Sequence, residues 1–344
     1  MAEIRLENLT KRFGPLVAVD DLDLTMPDGS FVALLGPSGC GKTTTMNMIS
    51  GLERPTGGEI YFDDQPISRV DPGRRNVGFV FQNYAIFTHM RVYDNLAFGL
   101  RVRKPKPSSE ELDREVRRVA EIVGLTGALD RNAGRLSVND MQKVALGRSM
   151  IVNPAIFLLD EPFSNLDAAF RAYMRAELKR IQDEVGQTMV YVTHDQVEAM
   201  SMADHIAVMN LGVLQQYGTP AEIYDSPSNR FVAGFVGSTQ MNFLPPSVAD
   251  VRPPANGATH VSVGVRPENL RIVAADSADA KLRAKVTLVE PLGAKDVVHL
   301  SDEGHELRVI GTPGQRPRIG ENVGVLADMD RVHFFDDETG EAVR

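Results

Sequence analysis

The chain has 344 residues, 43% hydrophobic and 24% charged, which is room for two domains and a sizeable core in ordinary soluble proportions. A net charge of -9 argues against a general nucleic-acid binder, which needs clustered Lys and Arg, but leaves room for a local phosphate site. The single cysteine, Cys40, excludes an internal disulfide and fits a reducing compartment, and no apolar run reaches the ~18 residues that span a membrane.

The opening MAEIRLENLTKRFG is charged and polar within a few residues, unlike a secretory signal. "SFVALLG" (30–36) is a short apolar run ending in Gly, and "TTMNMISGL" after it reads as a helix. Between them "GPSGCGKTT" (36–44) fits G-x-x-x-x-G-K-[ST] in the strand–loop–helix context that motif requires. Gly36, Gly39 and Gly41 let backbone N–H groups curl around phosphates, with Ser38, Cys40 and Thr44 on the same loop. Lys42 would reach the β- and γ-phosphates of a nucleotide, and Thr43 would hold Mg²⁺. The bland alternative, a glycine turn with no ligand, does not explain the Lys-Thr pair; Cys40 reads as a small filler. Phe13, just ahead of this unit, either stacks on adenine or packs in the core.

"NVGFVFQ" (76–82) is a strand closed by Gln82. An amide both donates and accepts, so Gln82 can touch Mg²⁺ or an attacking water, though alone it carries little weight. A helical insert follows. "SSEELDREVRRVAEIVGL" places Leu112, Val116, Val119 and Val123 at helical spacing, with Ser108 and Glu111 as a capping box and Gly124 as a stop. "AIFLLDEP" (155–162) is an apolar strand ending in two acids. Asp160 can hold Mg²⁺, and Glu161 can polarise water as a general base; a solvated acid pair is the alternative. "TMVYVTHD" (188–195) ends in His194, whose imidazole can bond a γ-phosphate oxygen, although a lone His is more often structural. Strands alternating with helices predict an α/β core with a mostly parallel sheet. After about residue 240 "MNFLPPSVADVRPPANGA" reads as a linker, and short alternating segments with Gly and Pro turns predict a small all-β sandwich or barrel.

The order of these motifs resembles the ATP-binding-cassette (ABC) ATPase family: Phe13, the loop 36–44, Gln82, a signature region at 136–142, Asp160-Glu161, "SNLD" (164–167) and His194. "GLERPTGGEIYFD", "YGTPAEIYDSPSNRFVAGFVGSTQMNFL" and "VGVRPENLRI" look like the carbohydrate-importer subfamily. The resemblance implies an ABC nucleotide-binding domain at 1–237 with a helical subdomain at about 88–150, then an OB-fold-like regulatory domain at 238–344. It implies two ATPase chains packed head to tail, with ATP and Mg²⁺ between one chain's phosphate loop and the other's signature. Two transmembrane permease subunits would dock by coupling helices beside the segment after Gln82, and a periplasmic or extracellular solute-binding protein would deliver the solute. The protein would sit peripherally on the cytoplasmic face of the bacterial membrane. The solute that the resemblance implies is a sugar or related polyol, with polyamine, iron and glycerol phosphate as alternatives.

One stretch departs from the pattern. "RLSVNDMQKVALGR" (135–148) keeps Leu136, Ser137 and the following helix, but has Val138-Asn139-Asp140 where the family has Gly-Gly-Gln. A β-branched Val disfavours the positive φ open to Gly, and Asp140 brings a carboxylate towards a γ-phosphate. Ser137 can still donate one bond in trans to the neighbour's ATP. The expectations are a weakened signature face and an unequal pair with a partner carrying an intact signature. A slow homodimer, and a subunit that mainly binds ATP, stand as alternatives.

Overall fold

The computed structural model describes residues 2–164, 166–246, 260–302 and 304–343. Most of the linker read at 241–258 lies outside them. The chain forms two compact units, Met1–Pro220 and Ala221–Arg344, so residues 221–237 go with the second unit.

The first unit opens with β1 (Ile4–Phe13) and β2 (Leu16–Met26), paired antiparallel. Ile4, Leu6 and Leu9 of β1 and Leu22, Leu24 and Met26 of β2 are buried, while the polar residues between them face outward. The opening segment is thus a half-buried strand whose apolar positions are spaced by charges. β3 (Phe31–Leu35), α1 (Lys42–Ser50), β4 (Gly57–Phe62) and the short β5 (Gln65–Pro66) follow. β4 and β5 complete a four-stranded antiparallel sheet of order β2-β1-β4-β5.

Next come β6 (Val77–Val80), then α2 (Val92–Val102), α3 (Ser109–Ile122) and α4 (Val138–Met150). Ser108 caps α3 with a full capping box to Glu111, and Gly124 turns the chain away at φ +67°. β7 (Ile156–Asp160), α5 (Ala168–Val185), β8 (Thr188–Thr193), α6 (Gln196–Met202), β9 (His205–Asn210) and β10 (Val213–Gly218) close the unit. The central six-stranded sheet has the order β10-β9-β3-β8-β7-β6. Its strands are parallel except β10. β3 and β8 are buried along their whole length, as central parallel strands are, and read as unbroken apolar runs. One core joins both sheets and α1, from Ile4 and Leu6 through Met46 and Ile49 to Leu158 and Val190.

The second unit is all-β after its first short helices. β11 (Asn242–Leu244), β12 (Val261–Val265), β18 (Val332–Asp336) and β19 (Ala342–Val343) form one sheet. The other has β13 (Leu270–Ala274), β17 (Asn322–Ala327), β14 (Leu282–Pro291), β15 (Asp296–Asp302) and β16 (His305–Gly311), in that order. Leu244, Val263 and Val265 from the first sheet share a core with Val286, Val298, Leu307 and Val325 from the second.

Candidate active site

α1 begins at Gly41, which adopts φ +104° and offers no side-chain cap. A Cβ there would lie 2.5 Å from the Ala18 carbonyl, so only glycine fits. Gly39, at φ +79°, would meet nothing within 4 Å and therefore borders open space. The loop is sealed against the protein at one glycine and bare at the other, which is the shape a backbone cradle needs. Lys42 is buried and donates to the carbonyls of Gly36 (2.8 Å) and Pro37 (2.9 Å). Cys40 packs beneath it, 2% exposed, as the filler expected.

β8 lies between β3 and β7, with Leu35 opposite Thr193 and Asp160 opposite Val192. The carboxyl ends of three adjacent strands therefore deliver the glycine loop, the acid pair and His194 side by side. Thr43 Oγ1 donates to Asp160 Oδ1 at 3.1 Å. Burial pushes the Asp160 carboxyl above its ordinary value, the Thr43 bond opposes this, and the neighbouring Glu161 charge adds to it. Glu161 sits at φ +43°, a conformation rare for a residue with a Cβ, and its N–H is tied to Val192 O at 3.1 Å. Its Oε1 lies 3.2 Å from His194 Nδ1, on a ring whose side chain is 55% exposed.

Gln82 lies two residues beyond β6 and is exposed. Its side-chain bond is to Ser164 Oγ (3.3 Å), not to Thr43 or Asp160, and Ser164 Oγ in turn donates to the Glu161 carbonyl (3.1 Å). Ser164 thus links Gln82 to the acid pair. Its neighbour Asn165 lies outside the described residues. Phe13 is not in the core: it is 45% exposed, and Lys11 Nζ sits 4.7 Å over one face of the ring. Glu53 (2.8 Å) and Arg54 O (2.7 Å) hold that ammonium.

The signature region corrects one expectation. Val138, Asn139 and Asp140 are the first turn of α4, and none has a positive φ. Replacing glycine here imposes no backbone strain; what remains is bulk and charge. Ser137 is the N-cap, its Oγ accepting from Asp140 N at 3.1 Å. Val138 is 48% exposed at the tip, Asn139 Oδ1 is buried without a hydrogen-bond partner, and the Asp140 carboxylate lies 4.0 Å from Arg131 Nη1.

Residues 19–164 match the ABC transporter family model. Along its whole length the chain is 45% identical to the trehalose/maltose import ATP-binding protein of Thermococcus litoralis, covering 100% of both. This chain belongs to the ABC transporter ATP-binding family. It is also 43% identical to the maltose/maltodextrin import ATP-binding protein of Vibrio cholerae, over 100% of this chain and 97% of that one. With the sn-glycerol-3-phosphate import ATP-binding protein of Ruegeria pomeroyi it shares 41%, over 100% and 99%. Residues 263–335 match the TOBE domain, so the all-β unit carries that family's barrel-like sheet. Among solved structures, an ATP-binding cassette in a dimeric post-hydrolysis state bound to ADP and Pi matches with a TM-score of 0.57 at 29% identity, over 63% of this chain and 98% of that one. As an ABC ATPase the chain binds nucleotide. No described helix is long and apolar enough to cross a membrane.

Proposed function

We propose that this ABC ATPase energises import of a sugar or related polyol, working in a head-to-tail pair of ATPase chains beneath two transmembrane permease subunits. The observation that carries the reading is the cluster at three neighbouring strand ends: Thr43 against Asp160 at 3.1 Å and Glu161 against His194 at 3.2 Å, beside the bare face of the glycine loop. Full-length likeness to trehalose/maltose and maltodextrin import proteins supports a sugar, while the glycerol-3-phosphate relative keeps a polyol phosphate in view. Selectivity would lie with the permeases and the solute-binding protein. The chain would then be peripheral on the cytoplasmic face, docked through coupling helices beside residues 88–150.

Thr43 and Asp160 offer the hard oxygen donors that Mg²⁺ prefers. Bound there with the phosphates, the ion would neutralise charge on the transferring group. Lys42 exchanges its carbonyl bonds for phosphate oxygens. Glu161 accepts a proton from the attacking water, and His194, anchored by Glu161, faces the γ-phosphate. Phe13, 45% exposed, stacks on adenine, and Gln82 reports on the site through Ser164. The test is phosphate release by the purified chain with and without Mg²⁺, beside Lys42→Ala and Glu161→Gln. Turnover should need Mg²⁺ and fall by roughly 10²–10⁴ in Glu161→Gln with ATP still bound. Full activity in that variant would refute the assignment.

The helical turn Val138-Asn139-Asp140 favours a second, finer reading, an unequal pair. This chain's own catalytic residues are all present; bulk and charge at α4 would impair the ATP held by its neighbour. A partner with an intact signature would complete one competent site. If the chain alone turns over ATP rapidly, and glycines at 138 and 139 with Gln at 140 bring no gain, the unequal pair fails and a homodimer stands. If Glu161→Gln leaves transport unchanged, the chain is a regulatory subunit that only binds ATP.

A further inference from the structure

Behind His194 lies a charged cluster that the mechanism above does not use. Glu198, on α6, is 4% exposed. Its Oε2 accepts from Tyr191 OH (2.9 Å) and Thr193 Oγ1 (2.5 Å), both on β8. Thr193 Oγ1 also accepts from Asp195 N (2.9 Å), immediately after His194. Asp195 caps α6 with one carboxylate oxygen, which accepts from Val197 N (2.8 Å) and Glu198 N (3.3 Å). Its other oxygen accepts from Arg171 Nη1 at 3.2 Å.

Arg171 stands in the first turn of α5, just past the turn that follows Glu161. Its Nη2 donates to Leu166 O at 3.1 Å. Its Nε is buried without a hydrogen-bond partner, 3.9 Å from Glu198 Oε1. One guanidinium therefore bonds Leu166 and Asp195, the residue beside His194, and lies at ion-pair distance from Glu198. A buried carboxylate is costly unless balanced, and these contacts offset part of that cost. Structural scaffolding alone would be met by an apolar filler at Glu198; instead each polar atom leads to a segment bearing a reacting group. Burial raises the Glu198 carboxyl above its ordinary value, and the Thr193 and Tyr191 bonds and the Arg171 charge oppose this.

We propose that Arg171 and Glu198 are positioning residues for ATP hydrolysis: together they clasp Leu166, close after Glu161, to the His194 segment and so set the His194–Glu161 contact. The inference rests on His194 and Glu161 acting as proposed above. Two variants test it in the full chain, Arg171→Met and the near-isosteric Glu198→Gln, with Arg171→Lys as the conservative control. We expect kcat to fall at least tenfold in the first two, with binding of a fluorescent ATP analogue unchanged within twofold and partial recovery in Arg171→Lys. Unchanged kcat in both variants overturns the proposal, as does an equal loss of ATP affinity and melting temperature with no separate effect on kcat.

A second readout needs no turnover. In ¹⁵N-histidine spectra, with His194 assigned by His194→Gln, Glu161→Gln should move the His194 ring signals of the otherwise unaltered chain. That response should vanish in the Arg171→Met and Glu198→Gln backgrounds. If the unaltered chain hydrolyses no ATP, the hydrolysis reading fails, and this response decides the clasp by itself: its loss supports the clasp, its persistence refutes it.

Discussion

Two helix N-termini in the first unit are built in opposite ways. α1 starts from Gly41 with no side-chain cap and no acid in its first turn. α4 starts from Ser137, whose hydroxyl accepts the Asp140 N–H, and carries the Asp140 carboxylate in that same turn. Both ends have the partial positive charge of unpaired N–H groups. α1 leaves that charge available to an outside anion; α4 answers it from its own side chains. The contrast is one of availability: the N–H groups at α1 have no side chain of their own to bond, whereas at α4 one is already taken.

The comparison can be broken from either side. Giving α1 a cap has the largest expected effect. Gly41→Ser puts a Cβ 2.5 Å from Ala18 O at φ +104°, and should cost about 2–4 kcal/mol of stability; thermal melts and nucleotide titration should both show the loss. Opening α4 is next. Val138→Gly, Asn139→Gly and Asp140→Gln together should raise turnover at the neighbouring ATP about tenfold, while two glycines destabilise the helix by about 1 kcal/mol. Ser137→Ala removes the cap alone and should lower stability by about 1 kcal/mol in a denaturant titration. Asp140→Asn should cost a few tenths to about 1 kcal/mol at low salt and less at high salt, because both the helix charge and the Arg131 contact are screened.

The smallest effect concerns the acid beside the open end. Asp160 has its pKa raised on folding, chiefly by burial. The unfolded chain therefore releases this proton first as pH rises through the ordinary value of 3.8, and stability from this group falls from there up to the folded value. Asp160→Asn should melt slightly higher than the unaltered chain at pH 7, and the difference should close as pH falls towards that ordinary value.

Much of this was legible in local sequence. Fully buried parallel strands such as β3 and β8 read as apolar runs, and α3 announced its own cap and stop. β1 was hidden because its buried residues Ile4, Leu6 and Leu9 are separated by charged ones, which locally look like a solvated tail. The signature residues misled in the other direction: glycine in the family pattern suggests a special backbone, yet the turn is plain helix, and only the backbone angles reveal it. Ser164 stood out only as part of the "SNLD" motif (164–167), with nothing to mark its bond to Gln82, and Arg171 carried no signal. A serine in a turn and an arginine on an amphipathic helix are ordinary, and their partners Gln82, Asp195 and Glu198 are distant in sequence.

The sequence by itself determined the buried central strands, α3, the glycine loop, the acid pair and the order of the motifs, because each is read from residues within one turn or strand. The tertiary structure decided which strand ends meet. The placing of β8 between β3 and β7 brings Thr43 to Asp160 and Glu161 to His194, and such pairing follows from burying whole strand faces together, which no short segment encodes.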